Sequence, residues 1–461
     1  MTKISTIELA GHKRLKQAAR ELLAAEYSAE DRCGRFGGLL KNLETTSIGM
    51  LDRKVKHGED LTFEEAFAGM CYVLAATNRH LYERFKPLIE KSGADFAPDR
   101  ALALAVAFLS GMAMKESLSQ LTSDEIAGMV AAAMMDTVVA FKADRIIETC
   151  GMGGDKGFGA NGTARKSINA STLSAITLAA LGLPAVKHGS YGNTSAVGST
   201  ETIELFGALT SMESAGEAER IWRSSGFCFF DAHWSKTIHD LSHLLMMETI
   251  NHVIGPMTPP FTKDTEINKL MGVNEKVHPA DVALAYAELH RRGIQKVGGV
   301  LVIAGVDQYV DPGDHAEVRA HTVTDEVSPY GTVVAAAYQG EFLGNYFLRP
   351  EDFGITLDSS RIQVRNNRAD IHAANIAALQ GNDPNLAAYL AMNAALGLYA
   401  YEYLPKDCMR ADGVSDILDE KHLQECLERC REAIMSGAAE RLLSDYVRAS
   451  GGIPAFAVSA S

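Results

Sequence analysis

No stretch of the 461-residue chain reaches about eighteen consecutive apolar residues, the length a membrane helix needs, so no membrane span is expected. The opening residues, "MTKISTIELAGHKRLKQAAR", hold no apolar core of signal-peptide length. Cysteine is sparse: seven residues, scattered and odd in number. That argues against a disulfide framework and for reduced thiols in a cytoplasmic setting. Cys426 and Cys430 share a helical face, but no nearby pair supplies the two further ligands a structural metal would need. Basic charge is in deficit, with 44 Lys and Arg against 58 Asp and Glu and a net charge of −14. An acidic surface repels phosphate backbones, so nucleic acid is not an expected partner. Internal repeats and low-complexity tracts are also missing.

What is present has the pattern of a globular α/β protein, at 47% hydrophobic and 22% charged residues. Residues 1–45 read as an N-terminal helical extension. Residues 46–142 read as a small all-helical domain, completed by helices within 200–260. One of its helices is announced by "LTFEEA", where Thr62 caps and Glu65 closes a capping box. From Arg145 short apolar runs alternate with helices, and "GGVLVIAGV" at 298–306 reads as a buried strand. Alternation of this kind predicts a large α/β domain over 143–450, with a mostly parallel central sheet flanked by helices. Residues 451–461 read as a loose tail.

Ligands of such sheets lie at the carboxyl ends of the strands, and two glycine-rich stretches fall there. In "TCGMGGDKGFGANGTARKSINAST", Gly151, Gly153 and Gly154 allow close backbone approach and an anion nest. Asp155 suits a metal or a sugar hydroxyl rather than a bare anion. Ser167, Asn169, Ser171 and Thr172 stand at a helix start, where free N–H groups and the dipole favour phosphate. In "KHGSYGNTSAVGSTE", Lys187 brings charge and Gly189, Asn193, Thr194, Ser195 and Ser199 bring tight backbone and donors. Two such loops on neighbouring strands suggest a ligand with more than one phosphate. His188 and His233 are candidate acid–base groups.

These motifs resemble the anthranilate phosphoribosyltransferase family, with its GTGGD, NIST and KHGNRSVSSxxGS. "GPMTPP" resembles its GPLTNP, "LRPEDFGI" its HPEDFGL and "MNAALGLY" its LNAAAALY, in order across roughly residues 50–447. The resemblance implies a homodimeric pentosyltransferase that moves ribose 5-phosphate from phosphoribosyl pyrophosphate to an acceptor nitrogen with Mg²⁺ bound. It implies that Gly151, Gly153, Gly154 and Asp155 line the donor and that Ser167, Asn169, Ser171 and Thr172 hold its phosphates, with Ser171 near a magnesium. Lys187 to Ser195 would wrap the pyrophosphate, and Lys187 and His188 would serve catalysis.

Departures concern the acceptor and a second metal. Met152 replaces the threonine of GTGGD. The loop from Asp155 to Asn169 is longer than the family's, and its Lys156, Arg165 and Lys166 read equally as phosphate ligands or lid and as a solvated loop. With Lys236 aligned to the family's lysine, Ser242 and His243 fall where an arginine pair holds the anthranilate carboxylate. Ser190 replaces the asparagine of KHGN. The expected acceptor is therefore an aromatic or heterocyclic compound other than anthranilate, in a pocket with Ser190, Tyr191, Phe230, His233, Trp234, Lys236, Ser242 and His243. The acid pair of the family's GLDE falls, by register, on "GVDQYVD", which leaves Asp307 and Asp311 as candidates for a second magnesium. A nucleoside phosphorylase that uses phosphate, or a relative that binds ligand without turnover, are the alternatives.

Overall fold

The computed structural model describes residues 36–93, 95–137, 140–155, 157–158, 165–192, 195–234, 250–306, 322–408 and 417–456, with the side chains of 233, 322, 323 and 408 left aside. The chain divides into two units. One comprises Met1–Lys142, Ser211–Glu219 and Phe230–Thr262; the other comprises Ala143–Thr210, Arg220–Phe229 and Lys263–Ser461. None of the described helices is long and apolar enough to cross a membrane.

The first unit is helical. The helix Phe63–Thr77 starts at the box read from the sequence: Thr62 Oγ1 accepts from the Glu65 amide at 3.3 Å, and the Glu65 carboxylate accepts from the Thr62 amide at 3.1 Å. A second box, Thr122 with Glu125, starts Ser123–Ala133. There Glu125 also takes the buried Lys115 ammonium at 2.6 Å. Phe141, Phe230, Trp234 and Phe261 pack edge to face or tilted, with centroids 5.2 to 6.1 Å apart. Phe230 and Trp234 have no exposed surface. They are core residues of this unit, which corrects their expected place in an acceptor pocket; two large aromatic side chains are better satisfied by each other than by water.

The second unit is built on a sheet. Its strands are β1 (Arg145–Gly151), β3 (Ala185–Gly189), β4 (Phe227–Asp231), β5 (Glu266–Gly272), β6 (Val297–Val306), β7 (Thr322–Thr324), β8 (Thr332–Tyr338) and β9 (Glu341–Leu348). The order is β4-β3-β1-β5-β6-β8-β9, with β7 pairing β6 off that path. The ladders β3–β1, β1–β5 and β5–β6 are parallel, and β8, β9 and β7 join antiparallel. Strands β1, β5 and β6 are nearly or wholly buried along their length, as strands covered on both faces must be. Helices Ala170–Ala180 and Pro384–Glu402 are apolar almost throughout and lie against β1. Two short strands, β2 (Arg165–Lys166) and β10 (Val364–Arg365), form a separate antiparallel ladder.

One ion pair is sealed inside this sheet. Lys269 on β5 donates to Glu148 on β1 at 2.7 Å, and neither side chain has exposed surface. Removing one partner of such a pair leaves an uncompensated buried charge. Lys269→Met is expected to destabilise the protein by about 3–5 kcal/mol, whereas the double change Glu148→Gln with Lys269→Met, which removes both charges, is expected to cost much less. Urea unfolding of the wild type, the single and the double variant checks this; equal losses in both variants would mean that packing rather than charge is at stake.

Candidate active site

The carboxyl ends of β1, β3 and β5 open toward the glycine-rich segments. At β1 the backbone turns through Gly153 and Gly154, at φ +68° and +70°, a region costly to residues with a Cβ. The Met152 amide donates to the Gly272 carbonyl at 3.0 Å, and Asn274 Nδ2 donates to the Gly153 carbonyl at 2.9 Å. The first loop is thereby pinned to the end of β5.

An acidic pair that the register argument did not find fills the space between these strand ends. β7 returns antiparallel beside the end of β6, with Thr324 opposite Gly305. It delivers Asp325 and Glu326 to the site. Asp325 Oδ2 accepts from the Gly153 amide at 2.8 Å. The approach is so close that a Cβ on Gly151 would lie 2.1 Å from Asp325 Oδ2, and one on Gly272 would lie 1.6 Å from the Asp325 carbonyl oxygen. Glu326 accepts from the Ala170 amide at 3.0 Å, from Ser167 Oγ and, at 3.1 Å, from the Tyr389 hydroxyl. A carboxylate therefore caps the helix Ala170–Ala180, at a terminus that favours negative charge. Asp307 and Asp311 lie outside the described residues. The sequence signal was the doublet in "VTDEVS". Counting straight on from β6 stopped at Asp307 and Asp311 and did not reach this doublet.

The electrostatics follow from this crowding. Burial, reinforced by the facing Asp155, pushes the Asp325 carboxyl up to about 6. Burial, reinforced by Asp325 next to it, pushes Glu326 up to about 8. Three carboxyl groups thus share a poorly hydrated space, which is costly unless a cation joins them. One cation is built in: Lys166 Nζ donates to Asp155 Oδ1 at 2.9 Å and to its carbonyl at 2.6 Å. Among the described residues no three His, Cys, Asp or Glu side chains converge to hold a metal by themselves.

The second loop starts at β3. Lys187 is 1% exposed, and burial lowers its ammonium to about 8. Its Nζ donates to the His188 carbonyl at 2.5 Å. His188 is buried, with Nδ1 3.6 Å from Glu148 Oε1, so its ring faces the carboxylate that Lys269 holds. Gly189 passes so near Ser199 that a Cβ there would lie 2.5 Å from Ser199 Cβ. Glu201 ties the loop at two points, accepting from the Gly192 and Gly198 amides at 3.0 and 2.9 Å. Tyr191 is held outward by a hydrogen bond to Glu204 at 3.0 Å. Ser190 Oγ donates to the Tyr191 carbonyl and Ser195 Oγ to the Val197 carbonyl.

Two asparagines that sequence reasoning missed, Asn366 and Asn375, fasten the loops, the second through Asn169, which the sequence did single out. Asn169 and Asn375 exchange hydrogen bonds, each at 2.8 Å: the Asn169 amide donates to Asn375 Oδ1, and Asn375 Nδ2 donates to Asn169 Oδ1. Asn169 Nδ2 reaches the Val197 carbonyl at 2.9 Å, and the Ala196 amide donates to Asn366 Oδ1 at 2.7 Å. The segment that follows "PEDFG" thus braces both loops. The structure brings together Gly151, Gly153, Asp155, Ser167 and Asn169 around the acid pair. Ser171 and Thr172 lie in the first turn of the helix, Ser171 accepting through its carbonyl from Thr149 Oγ1 at 2.5 Å, and Thr172 fully buried. Asn193, Thr194, Lys236, Ser242 and His243, together with Lys156 and the side chain of His233, lie outside the described residues.

A family profile described as "Glycosyl transferase family, a/b domain" matches residues 143–440, well over half of the chain. The anthranilate phosphoribosyltransferase of Methanococcus vannielii is 30% identical over 391 residues, covering 83% of this chain and 95% of the relative. That of Bordetella pertussis is 28% identical over 347 residues, covering 74% and 86%. Among solved structures, the Thermus thermophilus anthranilate phosphoribosyltransferase matches with a TM-score of 0.58 at 22% identity, over 87% of this chain and 99% of that one. The Saccharomyces cerevisiae enzyme in complex with PRPP and Mg matches with a TM-score of 0.59 at 19% identity, over 88% and 98%. The two solved structures establish the shared fold. With glycine loops, acid pair and buried lysine set at the strand ends of that fold, the chain belongs to the anthranilate phosphoribosyltransferase family and is a pentosyltransferase.

Proposed function

We propose that this enzyme transfers ribose 5-phosphate from phosphoribosyl pyrophosphate to an aromatic or heterocyclic acceptor other than anthranilate. The observation that carries the donor half is the juxtaposition of Asp325 and Glu326 with the glycine loop, Ser167 and the helix Ala170–Ala180. The acceptor half rests on sequence register alone: Ser242 and His243 fall at the positions of the family's arginine pair, and neither can replace a bidentate guanidinium on a carboxylate.

The residues present fit magnesium. Mg²⁺ takes hard oxygen donors, is held by one or two carboxylates plus phosphates, and keeps several waters. Asp325 and Glu326, pushed up by burial and by each other, are carboxyls whose ionised form a divalent cation would favour. When bound, Mg²⁺ supplies charge to the departing pyrophosphate. The chain's own residues do the rest. Gly153 and Gly154 let the sugar phosphate approach the backbone. Ser171, in the first turn of the helix, takes its phosphate. Asn169 is kept in place by Asn375 and the Val197 carbonyl. Lys187 presents its ammonium to the pyrophosphate, anchored through the His188 carbonyl, and His188 is braced against Glu148. C1 of the ribose develops oxocarbenium character as the leaving group departs, so orientation and charge, rather than a covalent nucleophile, carry the reaction.

Calorimetric titration with phosphoribosyl pyrophosphate, with and without Mg²⁺, tests the donor. Metal-dependent binding is expected in the wild type, weakened by at least about tenfold in Lys187→Ala and in Asp325→Asn, as loss of a charged contact predicts. No binding in the wild type, with phosphate-driven cleavage of nucleosides instead, would establish the phosphorylase reading. An acceptor screen under the same conditions is expected to show turnover of a neutral aromatic amine or N-heterocycle above that of anthranilate; preference for anthranilate would overturn the acceptor assignment.

Lys187 also predicts a pH dependence. Burial lowers its ammonium to about 8, so the charged form that attracts the donor is favoured below that pH and lost as the pH rises through it. Donor affinity is expected to hold steady from pH 7 to 8 and to fall toward pH 9.5, measured as the dissociation constant at fixed Mg²⁺. In Lys187→Met the affinity is low throughout and this break disappears.

A further inference from the structure

Lys166 is 5% exposed, an unusual burial for a lysine on a segment that the sequence presents as a polar insert. Its place is fixed by backbone: in the β2–β10 ladder Lys166 pairs with Val364 and Arg165 with Arg365. The Phe158 amide closes the near side by donating to the Arg165 carbonyl at 3.3 Å. From that ladder the ammonium reaches into the acidic site and binds Asp155 twice, through Oδ1 and through the carbonyl.

We propose that Lys166 is a resident cation of the donor site: by occupying Asp155 it takes the place of one divalent ion, and it leaves Asp325 and Glu326 to hold a single metal. The inference rests on the donor-site reading above. A second divalent ion would have to displace a buried ammonium from two oxygens at 2.9 and 2.6 Å, and that ammonium would then lie buried and unpaired, which is costly. A lysine is suited to the role because its ammonium is a compact point charge with three donors. Without Lys166, Asp155 would lose both contacts to the ammonium, and a divalent ion, which takes hard oxygen donors and completes its shell with water and phosphate, could take that place.

Counting Mn²⁺ ions by electron paramagnetic resonance, in the presence of inorganic pyrophosphate and with no acceptor, tests this without reading activity. The wild type is expected to bind one Mn²⁺ per chain and Lys166→Met two. Lys166→Arg, which keeps the charge, is expected to stay at one. Asp155→Asn with Lys166→Met is expected to return to one, which separates loss of the cation from general damage to the loop. Two ions in the wild type, or one in Lys166→Met, would overturn the role of Lys166. If the wild type binds no Mn²⁺ at all, the metal-assisted donor site itself fails, and the lysine's role with it.

Discussion

The site depends on a close approach of backbone to carboxylate. Asp325 sits against β1 and β5 at a distance that no side chain on Gly151 or Gly272 would permit. That contact lets its carboxylate take the Gly153 amide and lets Glu326 take the first amide of the helix Ala170–Ala180. Glycine in the first loop therefore has two duties. It turns the chain through positive φ at Gly153 and Gly154, and it clears room for an acid from another part of the chain. The loop is first of all a seat for Asp325.

Around this contact the protein assembles charge in layers. Deepest is the Glu148–Lys269 pair, sealed in the sheet, against which His188 faces. Above it Lys187 is held by the His188 carbonyl. At the mouth are Asp155, Asp325 and Glu326, with Lys166 among them. Burial strengthens each interaction and raises the cost of leaving any group alone. Such an arrangement is preorganised for a substrate that brings both negative phosphates and a divalent cation, since the fields are set before the ligand arrives.

The two ligand loops do not stand by themselves. Asn169, Asn366 and Asn375 join them to each other and to the chain after Pro350–Phe353. Glu201 closes the second loop on its own backbone. Amide side chains suit this task because each offers donor and acceptor at once, so one residue can fix two strands of loop without adding charge to a site where charge is already in use.

Sequence alone determined the alternation of strands and helices, the Thr62 capping box, both glycine loops and the family to which they belong, because each is a local pattern within a few residues. Residues far apart in the chain were a different matter. Counting on from β6 pointed to Asp307 and Asp311, which lie outside the described residues; it did not reach Asp325 and Glu326, which β7 delivers beside the end of β6. Lys166 read as an exposed insert lysine equally with a ligand, and the short ladder to β10 buried it. Phe230 and Trp234 read as pocket aromatics and turned out to be buried in a core that Phe141 and Phe261 complete around Phe230. In each case the deciding contact spans tens of residues or more, and nothing in a local spacing encodes which distant backbone will arrive. The chemistry of each group was legible from its type. Which groups would meet, and what they would thereby be made to do, was decided by the tertiary structure.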